Sequence, residues 1–552
     1  MSELLTRAEA SNHAETSRHS DVLAFIDELC RRTKLARRVD FGTSGEGQPL
    51  VSLVVSDRNC FTPELARKQK KVVVMVEANI HAGEVEGKES VLALARDLTL
   101  TKLGQKLLDK LVLVLVPNFN PDGNDRISPN NRKLNLQELE GQVNPAGGVG
   151  TRYTGEGWNL NRDSTKQEAP ETRAMAKLHQ AWWPELFIDC HTTDGSIHDF
   201  DLTYDTSHSN EPLFQELRDY NRQMLDRVSQ AVQKRHGFDS FWYGNYREEG
   251  VPTSGWHTYP ALPRFGSHYR GLLGRLDVLL ETYSYIDFPR RCAVMYAWLL
   301  ELIREAARSA KTYRALTQAQ EEAIIARGTT PDLQTLVGIN YGVATRDGEG
   351  KLTFDYPAYA KPGDLARIQA FDEKSVTERR FPGKKRKVYR VPHFRTFIPT
   401  QSVSTPEAYL VPAALAPRLE SQGIRFEVLP KAQRFLVDSY RIARREETFS
   451  PDVAANVPPP GQAELPQSQK PKPVRFETVL TVSPERGERE FAQGTLRVPT
   501  AQRAGTLAVY LLEPHSDDGF CRWQFLDTLL EVGGYYPVHR VVSPAPAPKK
   551  AE

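Results

Sequence analysis

The apolar and polar positions of residues 71–90 predict a strand, a turn and the start of a helix. Residues 72–76 form a continuous run of apolar, mostly β-branched side chains, which is typical of a central strand covered on both faces. Gly87 precedes SVLALARDL, whose apolar residues recur with the helical period. His81 and Glu84 lie in the turn between the two elements.

Strand and helix patterns alternate over the first half of the chain. A hairpin is predicted at residues 40–56, strands at 111–120, 184–191 and 275–285, and helices at 20–33, 170–183, 211–236 and 288–310. Such alternation favours a layered α/β domain, here residues 20–312, after a polar lead-in at residues 1–19.

The pattern beyond Tyr313 predicts a second, smaller α+β module of short strands and turns. This module, residues 313–545, is called the C-terminal module below. It contains a predicted strand-helix-strand unit at residues 408–429, strands at TLRVPT and LAVYLLEP, and a helix-like CRWQFLDTLLEV. Residues 451–473 are rich in proline and polar side chains, which predicts an exposed loop or linker. We expect the tail, residues 546–552, to be disordered.

Composition excludes several classes of protein. A length of 552 residues favours two domains with a linker. The net charge of +2, with both signs interspersed, argues against nucleic acid as a partner. Five scattered cysteines without a C-x-x-C pair indicate free thiols. No signal peptide or membrane-spanning run is present, so we expect a soluble, cytoplasmic protein, leaving open a signal upstream of this sequence.

Three side chains follow predicted strands in a pattern that suits a metal. His81 and Glu84 follow the first strand, and His191 ends the strand FIDC. Ligands bind at the carboxyl ends of strands in open α/β sheets, so these residues could share one crevice. Two histidines and a carboxylate leave a fourth zinc position open, which is typical of a hydrolytic site. Glu281 ends a further apolar strand. Two interpretations of this carboxylate stay open, a catalytic group or a salt-bridged strand end.

The glycine-rich segment GTRYTGEGWNLNRD, residues 150–163, adds hydrogen-bond donors between these ligands. It holds Arg152, Asn161 and Arg162. Two guanidinium groups and an amide could bind an anion or a developing oxyanion.

In these motifs and their order the chain resembles the zinc carboxypeptidase family: H-x-x-E after a strand, N-P-D-G after the next, an arginine ahead of an N-R pair, then a histidine and a glutamate each ending a strand. The resemblance covers roughly residues 20–310 and implies an α/β/α domain with a mixed central sheet. It implies these roles: His81, Glu84 and His191 as ligands of one zinc ion, Arg152 as oxyanion stabiliser, Asn161 and Arg162 as the clamp on the substrate's terminal carboxylate, and Glu281 as general base. Arg126 and Arg132, which also follow N-P-D-G, are expected at the surface or rim.

The chain departs from the family pattern at two points. Asn159 stands where the family usually has an aspartate that orients the first zinc histidine, so a lower zinc affinity is expected. The family's mobile tyrosine corresponds to Tyr259 by its spacing to Glu281, with Tyr269 as a rival, and either tyrosine could simply be packed.

The resemblance therefore implies a metallocarboxypeptidase that hydrolyses the C-terminal amide bond of peptides carrying a free carboxylate. A zinc-dependent deacylase of N-acyl amino acids on the same fold is the alternative, and a catalytically silent peptide-binding protein is a third reading. The wall segment FGSHYRGLL contains no acidic residue to select basic side chains. The sequence does not determine which side chain is preferred at the cleaved residue, what the physiological substrate is, or the oligomeric state.

Overall fold

The chain alternates helices and strands as far as residue 329 and is mainly strands beyond it. The computed structural model describes residues 3–542 except 58, 136, 210, 249–250, 332–333, 344–365, 371–386, 392 and 451–474. The α-helices are α1 Arg7–Ala10, α2 His19–Arg32, α3 Pro63–Lys68, α4 Glu86–Leu100, α5 Pro121–Asp125, α6 Pro170–Trp182, α7 Gln215–His236, α8 Gly266–Leu272, α9 Phe288–Arg308, α10 Ala310–Thr329, α11 Ala416–Ser421 and α12 Gly505–Leu512. The strands are β1 Ala36–Thr43, β2 Pro49–Val55, β3 Val72–Ala78, β4 Leu111–Val116, β5 Leu186–Thr193, β6 Leu202–Asp205, β7 Ser240–Trp242, β8 Asn245–Glu248, β9 Val251–His257, β10 Leu276–Tyr283, β11 Leu336–Val343, β12 Ala366–Ala370, β13 Lys387–Val391, β14 His393–Phe394, β15 Phe397–Ser404, β16 Ala408–Val411, β17 Glu427–Val428, β18 Gln433–Ser450, β19 Arg475–Phe491, β20 Leu496–Pro499 and β21 His539–Val541.

A mixed eight-stranded sheet forms the centre of the first half, in the order β1-β2-β4-β3-β5-β10-β6-β7. Its central strands β4, β3, β5 and β10 are parallel. Alternate side chains of β3 pack into different cores, Val74 and Val76 with helices α4 and α9, and Val73 and Met75 with α6. This burial on both faces explains why the strand sequences are apolar without alternation.

The C-terminal module is built on a six-stranded sheet, β17-β20-β16-β21-β18-β19, whose neighbouring strands are all antiparallel. Its core also includes Leu272 and Leu273 from the end of α8. The expected boundary at residue 312 falls inside helix α10.

Several sequence predictions are confirmed by these elements. The layered α/β architecture with a mixed sheet is present, as is an additional C-terminal sheet. Strands β1 and β2 form the hairpin expected at residues 40–56. Strand β16, helix α11 and strand β17 form the strand-helix-strand unit.

Two predictions within the C-terminal module are wrong. LAVYLLEP was expected to be a strand, but it lies largely in helix α12, whose eight residues are all buried. A short run that is apolar all round fits a buried helix as well as a strand. CRWQFLDTLLEV was expected to be helix-like, but only a 3₁₀ turn, Asp527–Leu529, forms there.

Three further expectations concern the proline-rich stretch with the tail, the lead-in and membrane-spanning segments. The proline-rich stretch at residues 451–473 and the tail at 546–552 lie outside the described residues. The lead-in contains α1, capped by the Thr6 hydroxyl and the Glu9 carboxylate. Among the described helices, none combines the length and the apolar character that a membrane span requires.

Candidate metal centre and catalytic site

The site lies at the carboxyl end of the parallel strands. His81 and Glu84 occupy the turn between β3 and α4, where Asn79 has a left-handed backbone (φ 65°). His191 and Glu281 face each other directly in the parallel pair β5 and β10. Backbone hydrogen bonds between these strands therefore set the separation of the two side chains.

Three nitrogen and oxygen donors converge on one point. Nδ1 of His81 lies 3.0 Å from Oε1 of Glu84, and Nδ1 of His191 lies 3.0 Å from Oε2 of the same carboxylate. The two Nδ1 atoms are 3.2 Å apart. The ligand atoms of these buried side chains lie within 4.8 Å of one another. Two imidazoles and a carboxylate fit zinc.

The other ring nitrogens lie beside different partners. Nε2 of His191 lies 3.0 Å from a carboxylate oxygen of Asp189, whose other oxygen lies 3.2 Å from Arg270. Nε2 of His81 lies 3.2 Å from the amide oxygen of Asn159. Each contact directs Nδ1 towards the common point. Asn159 thus occupies the position predicted from its spacing.

The pKa values of the two histidines are shifted in opposite directions. Burial lowers the pKa of His81 to about 3, and the Arg152 guanidinium adds to this effect. Burial also opposes a charge on His191, but the carboxylates of Asp189 and Glu281 outweigh it and raise the pKa of His191. His81 therefore presents a lone pair at neutral pH, whereas a cation would displace a proton from His191.

Glu281 is an acid-base group of unusual affinity for a proton. Burial raises the pKa of its carboxyl to about 8, although the nearby His191 opposes the shift. The Glu84 carboxylate raises the pKa further by repulsion. A pKa near neutrality suits a group that transfers protons.

Two arginines lie against the Glu84 carboxylate. Nη1 of Arg152 is 3.5 Å and Nη1 of Arg132 is 3.1 Å from Oε1 of Glu84. Arg132 also donates to the carbonyl oxygen of Thr192 at 3.3 Å. The expectation that Arg132 is a surface or rim residue is wrong, because its side chain is only 11% exposed and lines the site cavity.

The approach of Arg132 depends on Gly83. A Cβ at this glycine would lie 2.4 Å from Cδ of Arg132, so a larger residue would force the arginine to move. Sequence spacing could not reveal this contact, since the two residues are far apart along the chain. Arg126, the other arginine that follows N-P-D-G, pairs with Glu46 at 2.5 Å.

Asn161 and Arg162 lie together on one wall of the cavity. They belong to the 3₁₀ turn Leu160–Arg162. The Arg162 guanidinium carbon lies 4.1 Å from the centre of the Phe265 ring, and its Nη1 donates to the Asn161 carbonyl at 2.8 Å. Oδ1 of Asn161 accepts the Gly266 N–H at 3.3 Å. Stacking holds the guanidinium plane beside the cavity.

The two candidate tyrosines occupy different places. Tyr259 lines the cavity and stacks on His268 with ring centres 4.8 Å apart. Tyr269 instead donates its hydroxyl to Oε1 of Gln422, in the C-terminal module, at 2.6 Å. The structure therefore brings Tyr259, and not Tyr269, to the cavity wall.

The resulting cavity has a volume of about 320 Å³. From the predicted residues it collects His81, Glu84, Arg152, Asn161, Arg162, Tyr259 and Glu281. Asp194 and Tyr243, which the sequence reasoning did not name, also line it, together with Arg132 and with Phe265 of the expected wall segment FGSHYRGLL. Asp194 directly follows β5, so its place after a strand was a signal that could have identified it.

Comparison with known proteins gives consistent matches. Residues 22–259 match the family model described as zinc carboxypeptidase. Carboxypeptidase 2 of Trichophyton tonsurans is 23% identical over 503 residues, 85% of this chain and 77% of that protein. Carboxypeptidase 2 of Trichophyton equinum is also 23% identical, over 504 residues, with the same coverage. A solved metallo-carboxypeptidase from Burkholderia cenocepacia aligns with a TM-score of 0.39 and 19% identity, over 53% of this chain and 70% of that one.

Proposed function

We propose that this metallopeptidase, whose residues 22–259 match the zinc carboxypeptidase family model, removes C-terminal residues from peptides and holds one zinc ion through His81, Glu84 and His191. The observation that carries the proposal is the convergence of three ligand atoms within 4.8 Å beside a cavity lined by Glu281 and Arg162. The curated relatives are carboxypeptidases, so the deacylase alternative is not favoured.

Zinc bound at these ligands would supply a Lewis acid for the scissile carbonyl group. The pKa of about 3 at His81 supports this assignment, because its Nδ1 stays free of a proton at neutral pH. The carboxylate of Asp189, 3.0 Å from Nε2 of His191, supports it by placing a negative charge behind this ring.

Glu281 acts as the general base in this proposal. Its carboxylate takes a proton from the attacking water and passes it to the nitrogen of the leaving amine. The raised pKa suits proton return, and a cation at the neighbouring ligands favours the ionised form before the reaction. Arg152 donates to the carbonyl oxygen as negative charge develops there, a contribution typically worth about 3 kcal/mol.

Arg162 and Asn161, called the carboxylate clamp below, make the enzyme an exopeptidase. The stacked guanidinium binds a terminal carboxylate, and an internal peptide bond offers no such charge at that place. Removing one partner of a buried charged pair typically costs about 2 to 5 kcal/mol, a factor of roughly 30 to 5,000.

Peptides that differ only at their ends test the proposal. A free-acid peptide, its C-terminal amide and its N-acetylated form are digested with the zinc-loaded enzyme and the products are identified by mass spectrometry. Amidation should lower kcat/KM by at least about a hundredfold, whereas N-acetylation should change it little. Arg162→Ala should lose most of this discrimination, and Arg126→Ala serves as the matched control, since Arg126 pairs with Glu46 away from the clamp.

Equal cleavage of the free acid and the amide by the wild-type enzyme would rule out a carboxypeptidase. Cleavage confined to short N-acyl amino acids would instead indicate the deacylase.

A further inference from the structure

The C-terminal module contacts the catalytic domain at the segments that carry the clamp. One segment follows the clamp, residues 163–167, and the other, residues 264–269, carries the Phe265 ring on which Arg162 stacks. The two segments also touch each other, because Ser164 N–H donates to the Arg264 carbonyl oxygen at 3.3 Å. A displacement of either segment would therefore move the clamp.

Asp518 of the C-terminal module holds the second segment through two hydrogen bonds. Its Oδ2 accepts the backbone N–H of Arg264 at 2.6 Å, and its Oδ1 accepts Nε of the same residue at 2.8 Å. The Arg264 guanidinium carbon also lies 4.6 Å from the centre of the Trp523 ring. Asp518 is fully buried and Arg264 is 4% exposed, so loss of either partner would leave the other buried without this hydrogen bond.

Gln422 of the same module holds the first segment. Its Nε2 donates to the carbonyl oxygen of Thr165 at 2.8 Å, while its Oε1 accepts the Tyr269 hydroxyl at 2.6 Å. Gln422 thus joins the two segments through a single amide. Arg418 adds a donor to the carbonyl oxygen of Lys166 at 2.6 Å.

We infer that the C-terminal module positions the carboxylate clamp, with Asp518 as its principal positioning residue. Asp518 fixes the backbone of Arg264, the next residue Phe265 supports the Arg162 guanidinium, and Gly266 N–H orients the Asn161 side chain at 3.3 Å. This role rests on the proposed function, because it presupposes that the clamp binds the carboxylate of a peptide. It gives the module a part in substrate recognition, although none of its described residues lines the cavity.

The pattern of kinetic change distinguishes positioning from general stabilisation. Asp518→Asn keeps the side-chain volume and one acceptor but removes the nearer of two carboxylate charges beside Arg264, the other being Glu477 at 3.4 Å. A misplaced clamp weakens substrate binding and leaves the groups at the scissile bond in place. KM for a free-acid peptide should therefore rise at least about tenfold, with kcat within about threefold of wild type and unchanged zinc content.

Glu513→Gln is the matched control. Glu513 is buried in the same module and pairs with Arg540 and the hydroxyls of Tyr409 and Tyr440. The change removes a comparable buried charge whose partners, Arg540, Tyr409 and Tyr440, lie outside the clamp segments, so it should lower the thermal midpoint and leave KM unchanged. Gln422→Met, which loses the link to Thr165 without a change of charge, should raise KM and gives the same readout if Asp518→Asn folds poorly.

The outcomes separate this inference from the proposed function. A wild-type enzyme that ignores the terminal carboxylate overturns both. A second outcome is that the wild type prefers the free acid to the amide, while Asp518→Asn and Gln422→Met show the same KM and the same preference as the control Glu513→Gln. In that case only the positioning role is overturned. A raised KM and a reduced preference in both variants, absent from Glu513→Gln, support it.

Discussion

The partner of His81 offers a direct test of how this chain sets its metal affinity. His191 has a carboxylate oxygen 3.0 Å from its Nε2, whereas His81 has only the amide oxygen of Asn159 at 3.2 Å. Asn159→Asp would give both rings a carboxylate partner with almost no change in side-chain volume. A carboxylate raises the basicity of the ligating nitrogen across the ring.

The expected gain in zinc affinity follows from this contact. Loss of such a partner typically lowers metal affinity 10- to 100-fold, so the new carboxylate should raise it by about the same factor, or about 1.4 to 2.7 kcal/mol. Competition between zinc and a proton for Nδ1 of His81 should offset little of this gain in affinity, because burial and Arg152 hold the pKa of His81 at about 3. Asn159 is only half-buried, which limits the cost of placing a charge there.

Zinc dissociation constants measured by competition with a chromophoric chelator at pH 7 would give this factor. Asn161→Asp is the matched control, since it adds the same charge in the same turn while its side chain contacts Gly266 N–H instead of His81. A gain in Asn159→Asp below about threefold, or an equal gain in Asn161→Asp, would refute the reasoning, because the effect would then not depend on the contact with His81.

Three other predictions concern the base, stability and the linker. Glu281→Gln should keep its zinc, measured by elemental analysis, yet lose several orders of magnitude in kcat, because an amide cannot accept the proton of water; more than about a tenth of the activity would place the base elsewhere. Burial holds the pKa of His179 at about 3 in the folded protein against about 6.5 unfolded, so the unfolded state binds the proton and stability falls as pH decreases below 6.5. At pH 5 this group should cost about 2 kcal/mol, and denaturation curves of His179→Phe should lack that part of the loss; equal pH dependence in both proteins would contradict the assignment. Limited proteolysis should cut first within residues 451–473, and first cuts within residues 70–300 would show that the expected domain boundaries are wrong.

The location of the metal centre could be inferred from sequence because it depends on local patterns. A strand read from residues 72–76 ends near His81, and parallel strands bring their carboxyl ends together. Hence His81, Glu84 and His191 could be grouped without knowledge of the sheet order. Glu281 could be added because an ionisable residue directly follows an apolar strand run.

The remaining features depend on contacts that no local pattern encodes. Arg132 reaches the site because Gly83 lacks a Cβ, and the role of Tyr269 is decided by Gln422, far along the chain. Helix α12 was mistaken for a strand because its surroundings bury every face and remove the periodic signal. These errors share one cause, which is that burial by distant segments overrides local preference.

Helix α10 bears on how such a protein can change during evolution. Arg327, near its end, donates to Thr506 at 2.6 Å and pairs with Glu211 at 2.8 Å, so one buried guanidinium serves residues from both halves of the chain. A recombination event that joined the first half to an unrelated sequence at residue 312 would interrupt this helix and leave Glu211 buried without its cation. We therefore expect a junction outside this helix to cost less stability than one within it.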